Sequence, residues 1–266
     1  MTKTVPIASA DGKGFPIPIS SLEAPPDFVP RILEADRSCQ SGTQDPCDPW
    51  LLWQLADSAF PVGGFAHSGG LEAAWQSGEI ASREELVGFL QASLTQWARG
   101  AVPFLAAVHA APQRLKELDR YCDAFLSNHI ANRASRLQGQ SLLLACERIF
   151  DSAAIAELRR QLLQQDLPGH LAPTFGAVTR LLELSRGAAV RLFLFSLLRG
   201  AVTSAVRLGI SGPLEAQAIQ HRLGPSAEAA AILGLSLPLD DLAQTAPILD
   251  LLQGAQDRLY SRLFQS

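Results

Sequence analysis

The residues best suited to chemistry in this 266-residue chain fall in one stretch, Leu55 to Glu72, which reads LADSAFPVGGFAHSGGLE. Ser68 stands beside His67, with Asp57 upstream. These are the residue types of a nucleophile and a general base, and nearby glycine amides could line an oxyanion hole. Adjacent His and Ser side chains rarely point at each other, however, and such a base needs a third group to orient it. The competing reading is structural: a compact turn between two helices, with His67 and Ser68 hydrogen-bonding backbone or a partner. Gly63, Gly64, Gly69 and Gly70 each cost backbone entropy, which marks a loop of demanding shape. Loops of this kind carry binding functions disproportionately. The structural reading is favoured, and the Ser68/His67 hydrolase stands as the alternative.

A second dense stretch is Ser127 to Gln140, SNHIANRASRLQGQ. On a helix, Asn128, Asn132, Ser135 and Gly139 share a face, because residues three and four apart are neighbours. Ala131, Ala134, Ser135 and Gly139 are too small to be filler on a free surface, which points to a packing seam or a partner-contact seam. Arg133 and Arg136 lie on the adjacent side. The third stretch is Asp257 to Ser266, DRLYSRLFQS. It carries Leu263 and Phe264 where terminal residues are usually polar and frayed, so it is expected to dock on this chain or on another. Arg258 and Arg262 also suit a helix C-terminus electrostatically. His109, His129, His170 and His221 are scattered and read as satisfied or surface histidines.

Much chemistry is excluded. No GxxxxGK[ST], HExxH, GxSxG or paired CxxC occurs, so no P-loop, zincin or nucleophile elbow is expected. Cys39 and Cys47 fall in a Pro/Ser/Gly-rich stretch, whereas Cys122 and Cys146 are expected to be buried thiols. The net charge is −4 and the 22 basic residues form no run. A nucleic-acid binder would need a basic stripe. The most apolar stretch, 187–209, is interrupted by Arg191, Arg199 and Arg207. Each Arg would cost about 2.5–3.5 kcal/mol at a bilayer centre, so the stretch reads as a core helix. With no signal or transit segment, a cytoplasmic protein is expected.

The elements that must position these stretches are helical. Only 18% of residues are charged and 47% are hydrophobic, against about 25% charged in an average domain. Leu and Ala make up roughly three residues in ten, and these are the residues that lose least on entering a helix. Asp48–Pro49 is a helix start and Ser82/Glu85 a capping box. Helical stretches are expected at 50–58, 71–76, from 82, 114–150 with a break near Ser127, 152–166, 173–184, 187–209, 213–222, 226–235 and 247–264. The last should bury Ile248, Leu252, Ala255, Leu259 and Leu263 on one stripe. Residues 1–47 hold seven of the 17 prolines and read as a flexible, disordered extension, with Phe15 to Ile19 as a candidate docking strand. The expectation is an all-α protein: one domain of about ten helices over 48–266, behind a 1–47 tail. A helix set this apolar implies obligate partners and a poorly soluble isolated chain.

Five segments in order resemble the UreF family of urease accessory proteins: the Gly loop, SNHIANRASRLQG, HLAPTFGAV at 170–178, SAVRLG with GPLEAQ at 204–217, and LYSRLFQS. The resemblance covers residues 49–266. Gln140 departs from it, standing where a basic residue is expected. The resemblance implies a non-enzymatic helical adaptor that binds UreD (also called UreH) on the urease apoprotein. As a homodimer it would recruit the GTPase UreG and couple GTP hydrolysis to nickel insertion. It implies no cofactor on this chain, with nickel as the cargo of the complex and GTP bound by UreG. Expected partner contacts are Gly63, Gly64, Phe65, His67, Ser68 and Glu72 in the loop, and Arg133, Ser135, Arg136 and Gly139 on the following helix. Arg207 is expected on the apolar helix, and Arg258, Tyr260, Arg262, Leu263 and Phe264 in the last segment. Arg133, Arg136 and Arg207 are candidates for an arginine acting on the GTPase.

Overall fold

A computed structural model of the chain describes residues 5–7, 15–17 and 48–266. The chain forms two units, Met1–Asp45 and Pro46–Ser266. In the first, Val5–Ile7 (β1) pairs antiparallel with Phe15–Ile17 (β2), Pro6 opposite Pro16. The candidate docking strand therefore has a partner within its own unit. The disorder expected over the rest of 1–47 falls outside the described residues.

The second unit is helical throughout, and its helices begin where local chemistry says they should. α1 (Pro49–Ala56) is capped by Asp48, which accepts from the Trp50 N–H at 2.9 Å. α2 (Leu71–Gln76) starts at Gly70. α3 (Arg83–Gly100) carries the Ser82/Glu85 capping box with both arms formed. α4 (Val102–Ala110) was not expected as a separate helix: most of its residues are buried, so no polar stripe gives it a period. α5 (Leu115–Phe125) and α6 (His129–Phe150) break at Ser127, and Asn128 caps α6 by accepting from the Ile130 and Ala131 N–H groups. There follow α7 (Ala153–Gln164), α8 (Leu171–Leu181), α9 (Arg186–Arg207), α10 (Pro213–Arg222), α11 (Gly224–Ser236) and α12 (Pro247–Gly254).

The end of the chain corrects the sequence reading. The helix expected over 247–264 stops at Gly254, a 3-10 turn follows at Gln256–Arg258, and Leu259 is extended. Ile248 and Leu263 are exposed; the buried residues are Gln256, Phe264 and Ser266. Anchors far away in sequence pull the segment out of helix, as described below.

Two apolar clusters fill the unit. The larger surrounds α8, whose residues 171–179 are all buried, and draws on α3 to α9 and α11. The smaller joins α2, α3, α9 and α10 and includes Phe264. Cys122 and Cys146 are buried as expected, and burial raises both thiols above the usual range. α9 is the one described helix long and apolar enough to cross a membrane, but it lies in both clusters. Its arginines sit at the edge: Arg191 pairs with Glu228, and Arg199 and Arg207 donate to the carbonyls of Ala56 and Phe65.

Thr174 on α8 is fully buried, and its hydroxyl has no hydrogen-bond partner among the described residues. An unsatisfied buried hydroxyl costs about 1–3 kcal/mol. Thr174→Val, which keeps the shape and removes the hydroxyl, is therefore expected to raise the urea midpoint by an equivalent of about 1 kcal/mol. A fall of similar size would show that the hydroxyl is satisfied.

Candidate functional site

The Gly loop owes its shape to backbone angles that other residues adopt with strain. Gly63, Gly69 and Gly70 have φ of 77°, 64° and 92°, in the left-handed region open to glycine. A short 3-10 turn, Gly64–Ala66, connects them and leaves the Phe65 ring largely exposed. The loop is closed from above by the last residues of the chain.

That closure is built from named contacts. The Ser68 N–H and hydroxyl both donate to the Ser266 carbonyl, at 2.5 and 3.0 Å. His67 Nδ1 meets the Ser266 hydroxyl at 2.6 Å. The Gln265 N–H donates to the Ala66 carbonyl at 2.8 Å. Glu72, 1% exposed, accepts from the Leu263 N–H at 2.6 Å, the Phe264 N–H at 3.1 Å and Gln256 Nε2 at 2.6 Å. A buried carboxylate is tolerable when hydrogen bonds replace its water; here three N–H donors do so. Arg207 lies between two rings, 3.8 Å from the Phe65 centroid and 4.2 Å from that of Phe264, and donates to the Phe65 carbonyl at 2.5 Å.

The start of α6 joins the same surface. Asp257 receives Arg133 at 3.0 Å, Arg262 at 3.1 Å and His129 at 3.5 Å. Its hydrogen bond from Arg133 and the surrounding positive charge hold the carboxyl below its ordinary range. Arg136, Arg258, Tyr260 and Leu263 face outward, Tyr260 completely. Beneath the loop lies a cleft of about 220 Å³, lined in part by His67, Gln96, Asn128, Asp250, Gln253 and Ser266.

The structure thus brings three separated sequence stretches together. Phe65, His67, Ser68, Glu72, Arg133, Arg207, Arg262 and Phe264 meet in one cluster. Ser135 and Gly139 do not: they pack inward against the start of α8, so the small-residue seam is filled from within the chain. The hydrogen bonds of Ser68 and His67 go to Ser266 rather than to each other, and Asp57 caps the end of α1, accepting from the Ala59 N–H. The geometry gives the hydrolase alternative no support. Among the described residues no group of three or more His, Cys, Asp or Glu could hold a metal ion.

Sequence reasoning missed the partners of the buried His170. Its ring meets Asp123 Oδ1 at 3.0 Å and Ser135 Oγ at 3.1 Å, while Asp119 accepts from the Gly169 and His170 N–H groups. These partners lie 35 to 51 residues away in sequence, so no local pattern could reveal them.

The UreF family profile matches residues 80–224. The chain is 35% identical over 224 residues to urease accessory protein F of Arabidopsis thaliana, covering 83% of this chain and 93% of that one. With urease accessory protein F of Oryza sativa subsp. indica it shares 34% over 219 residues, covering 81% and 84%. With UreF of Trichodesmium erythraeum it shares 31% over 222 residues, covering 80% and 94%. The chain belongs to the UreF family. The relatives are named as accessory proteins, and the helical architecture and the closed Gly loop described above are those of this UreF member.

Two buried histidines, His109 and His170, and the part-buried His67 are expected to make the fold acid-sensitive. Burial, and then the charge of Arg133, lower the His67 pKa; burial is also the largest cause for His109 and His170. A histidine lowered from about 6.5 in the unfolded chain binds fewer protons folded than unfolded in the interval between the two values. Its stabilisation is therefore complete above about pH 6.5 and is lost as pH falls through the folded value. Asp123 and Asp257 are shifted down as well, and their contribution falls only below about pH 4. The urea midpoint is expected to drop between about pH 7.5 and pH 5.5, with a smaller drop in His67→Gln. A midpoint that stays flat over that interval would contradict this.

Proposed function

We propose that this UreF-family chain is a non-enzymatic adaptor in urease maturation. It bridges the UreD-bound urease apoprotein and the GTPase UreG, coupling GTP hydrolysis to nickel insertion. Nickel is the cargo, GTP is bound by UreG, and the adaptor works in the cytoplasm. One observation carries the reading: the Gly loop, the start of α6 and the last residues form a single surface, with arginines and exposed apolar side chains at its rim. Tyr260 and Leu263 in the closing segment, Ile248 and Leu251 on α12 and Trp75 on α2 are exposed. Apolar side chains left in water beside a polar rim are what a partner interface presents. Trp50 and Trp53, edge to face at 5.1 Å and mostly exposed, offer a further apolar edge to a second copy. Of the candidate arginines, Arg133 is committed to Asp257 and Arg207 to the two rings, whereas Arg136 is exposed. UreG GTPase rates with each Arg→Ala variant would distinguish them.

Co-expression with UreD and UreG, followed by size-exclusion chromatography, tests the partners and the stoichiometry together. The informative variant is Tyr260→Ala. Its side chain is fully exposed, so stability should change by less than about 0.5 kcal/mol. Capture of UreD or UreG should weaken by about tenfold or more if Tyr260 is an interface anchor. Undiminished capture of both partners would remove the last segment from the interface.

A further inference from the structure

The small polar stripe of α6 works as an internal grip. Asn128 Nδ2 donates to the Asp250 carbonyl at 2.7 Å. Asn132 Nδ2 donates to Asp123 Oδ1 at 3.0 Å and to the Leu126 carbonyl at 3.3 Å. Ser135 Oγ accepts from the Leu171 N–H at 3.2 Å and meets His170 Nδ1 at 3.1 Å. Gly139 lies against the backbone of Gly169, His170 and Leu171. Every third or fourth residue along the first half of α6 is thus tied to α5, α8 or α12.

His170 is the centre of this grip, and its side chain has no solvent exposure. The protons can be placed. An ionised Asp123 only accepts, so Nε2 carries the hydrogen and donates to it. Burial favours the neutral imidazole, so with the hydrogen on Nε2 the Nδ1 atom has none and accepts from the Ser135 hydroxyl. Asp119 accepts from the Gly169 and His170 N–H groups at 2.8 and 2.7 Å and pins the backbone beneath the ring. Arg133, two residues before Ser135, reaches Asp257 in the closing segment.

We infer that His170 is a positioning residue: held by Asp119 and Asp123, it sets through Ser135 where α6 lies, and so where Arg133 meets Asp257 and how residues 259–266 seat on the Gly loop. The consequence for partners rests on the adaptor reading above; the consequence for the closing segment does not.

Two amides separate the arms of the imidazole. Asn at position 170 can accept from Ser135 in place of Nδ1 but cannot reach Asp123. Gln can donate to Asp123 in place of Nε2 but leaves Ser135 without its acceptor. The experiment is amide hydrogen exchange of Leu263 and Phe264 in the full chain, with and without co-expressed UreD and UreG. His170→Gln and the gentler Ser135→Ala should each speed exchange by about tenfold, and His170→Asn by no more than about twofold. The double variant His170→Gln/Ser135→Ala should exchange no faster than Ser135→Ala alone, because the serine change already removes the bond to Nδ1 together with the acceptor of the Leu171 N–H. Equal acceleration by Asn and Gln would mean that His170 merely fills space, and the inference would fall. Unchanged exchange in Ser135→Ala, or additive effects in the double variant, would also overturn it. Faster exchange with undiminished partner capture would leave the positioning role standing and refute the adaptor surface instead.

Discussion

Gly139→Ala is expected to lower stability by about 3 kcal/mol, the upper end of what overpacking costs. A Cβ at Gly139 would lie 2.7 Å from the His170 carbonyl carbon, 2.8 Å from the Leu171 nitrogen and closer still to the Gly169 oxygen. These are backbone atoms, and Asp119 holds the Gly169 and His170 N–H groups, so the turn cannot retreat without breaking buried hydrogen bonds. Against a total of about 5–15 kcal/mol for a typical domain, this is a large fraction. The measurement is urea unfolding, with a lower midpoint and an unchanged slope. Gly88→Ala is the control: Gly88 is exposed inside α3 with nothing within 4 Å of an added Cβ. That change should stabilise by about 0.5–1 kcal/mol through helix propensity. If the two substitutions behave alike, α6 and α8 do not approach as closely as described.

Glu72→Ala should produce the largest functional loss while sparing the helices. It strands three donors, the Leu263 and Phe264 N–H groups and Gln256 Nε2. Each would cost about 1–3 kcal/mol if it stayed buried without a partner. The closing segment can avoid that cost by leaving the loop for water, so the expected outcome is local release. Phe264 then withdraws from Arg207, and Ser68 loses Ser266. Trypsin should cleave after Arg258 and Arg262 at least about tenfold faster, the helical circular-dichroism signal should persist, and urease activation should collapse. Glu72→Gln should be intermediate, since one oxygen still accepts but an amide group now faces a donor. Wild-type resistance to trypsin in Glu72→Ala would show that the segment is held without this carboxylate.

Both predictions concern features of which the sequence showed only half. Asp48, Ser82 with Glu85, and the break before Asn128 were legible because a cap acts within three residues. The Gly loop was legible as a shape, because its left-handed positions call for glycine. α4 was not, since a helix buried on nearly every side has no amphipathic period. The last segment misled for a different reason. Ile248, Leu252, Ala255, Leu259 and Leu263 do repeat at helical spacing, yet the chain leaves the helix at Gly254. Its hydrogen bonds go to Glu72 and Ser68, some 190 residues earlier. The candidate residues were found as three separate stretches, and nothing in the sequence showed that they converge, because the contacts that join them span about 120 to 200 residues. His170 was passed over because its burial and its two carboxylate neighbours are properties of the fold.

The closure of the Gly loop also dictates an order of events during synthesis. Contacts such as Ser68 to Ser266 and Glu72 to Phe264 span nearly the whole helical unit, and loop closure over such separations comes late in folding. Residues 63–72 leave the ribosome early yet cannot be capped until the final turn and the residues after it have emerged. At synthesis rates of about 5–20 residues per second, the loop waits on the order of ten seconds or more, uncapped, with Glu72 lacking the donors that later bury it. Any chain released before that point would carry the loop and α6 without the assembled surface. Emergence of residues 259–266 is thereby a condition for recognition, and partners that read the closed form would pass over copies in which that segment is not yet seated.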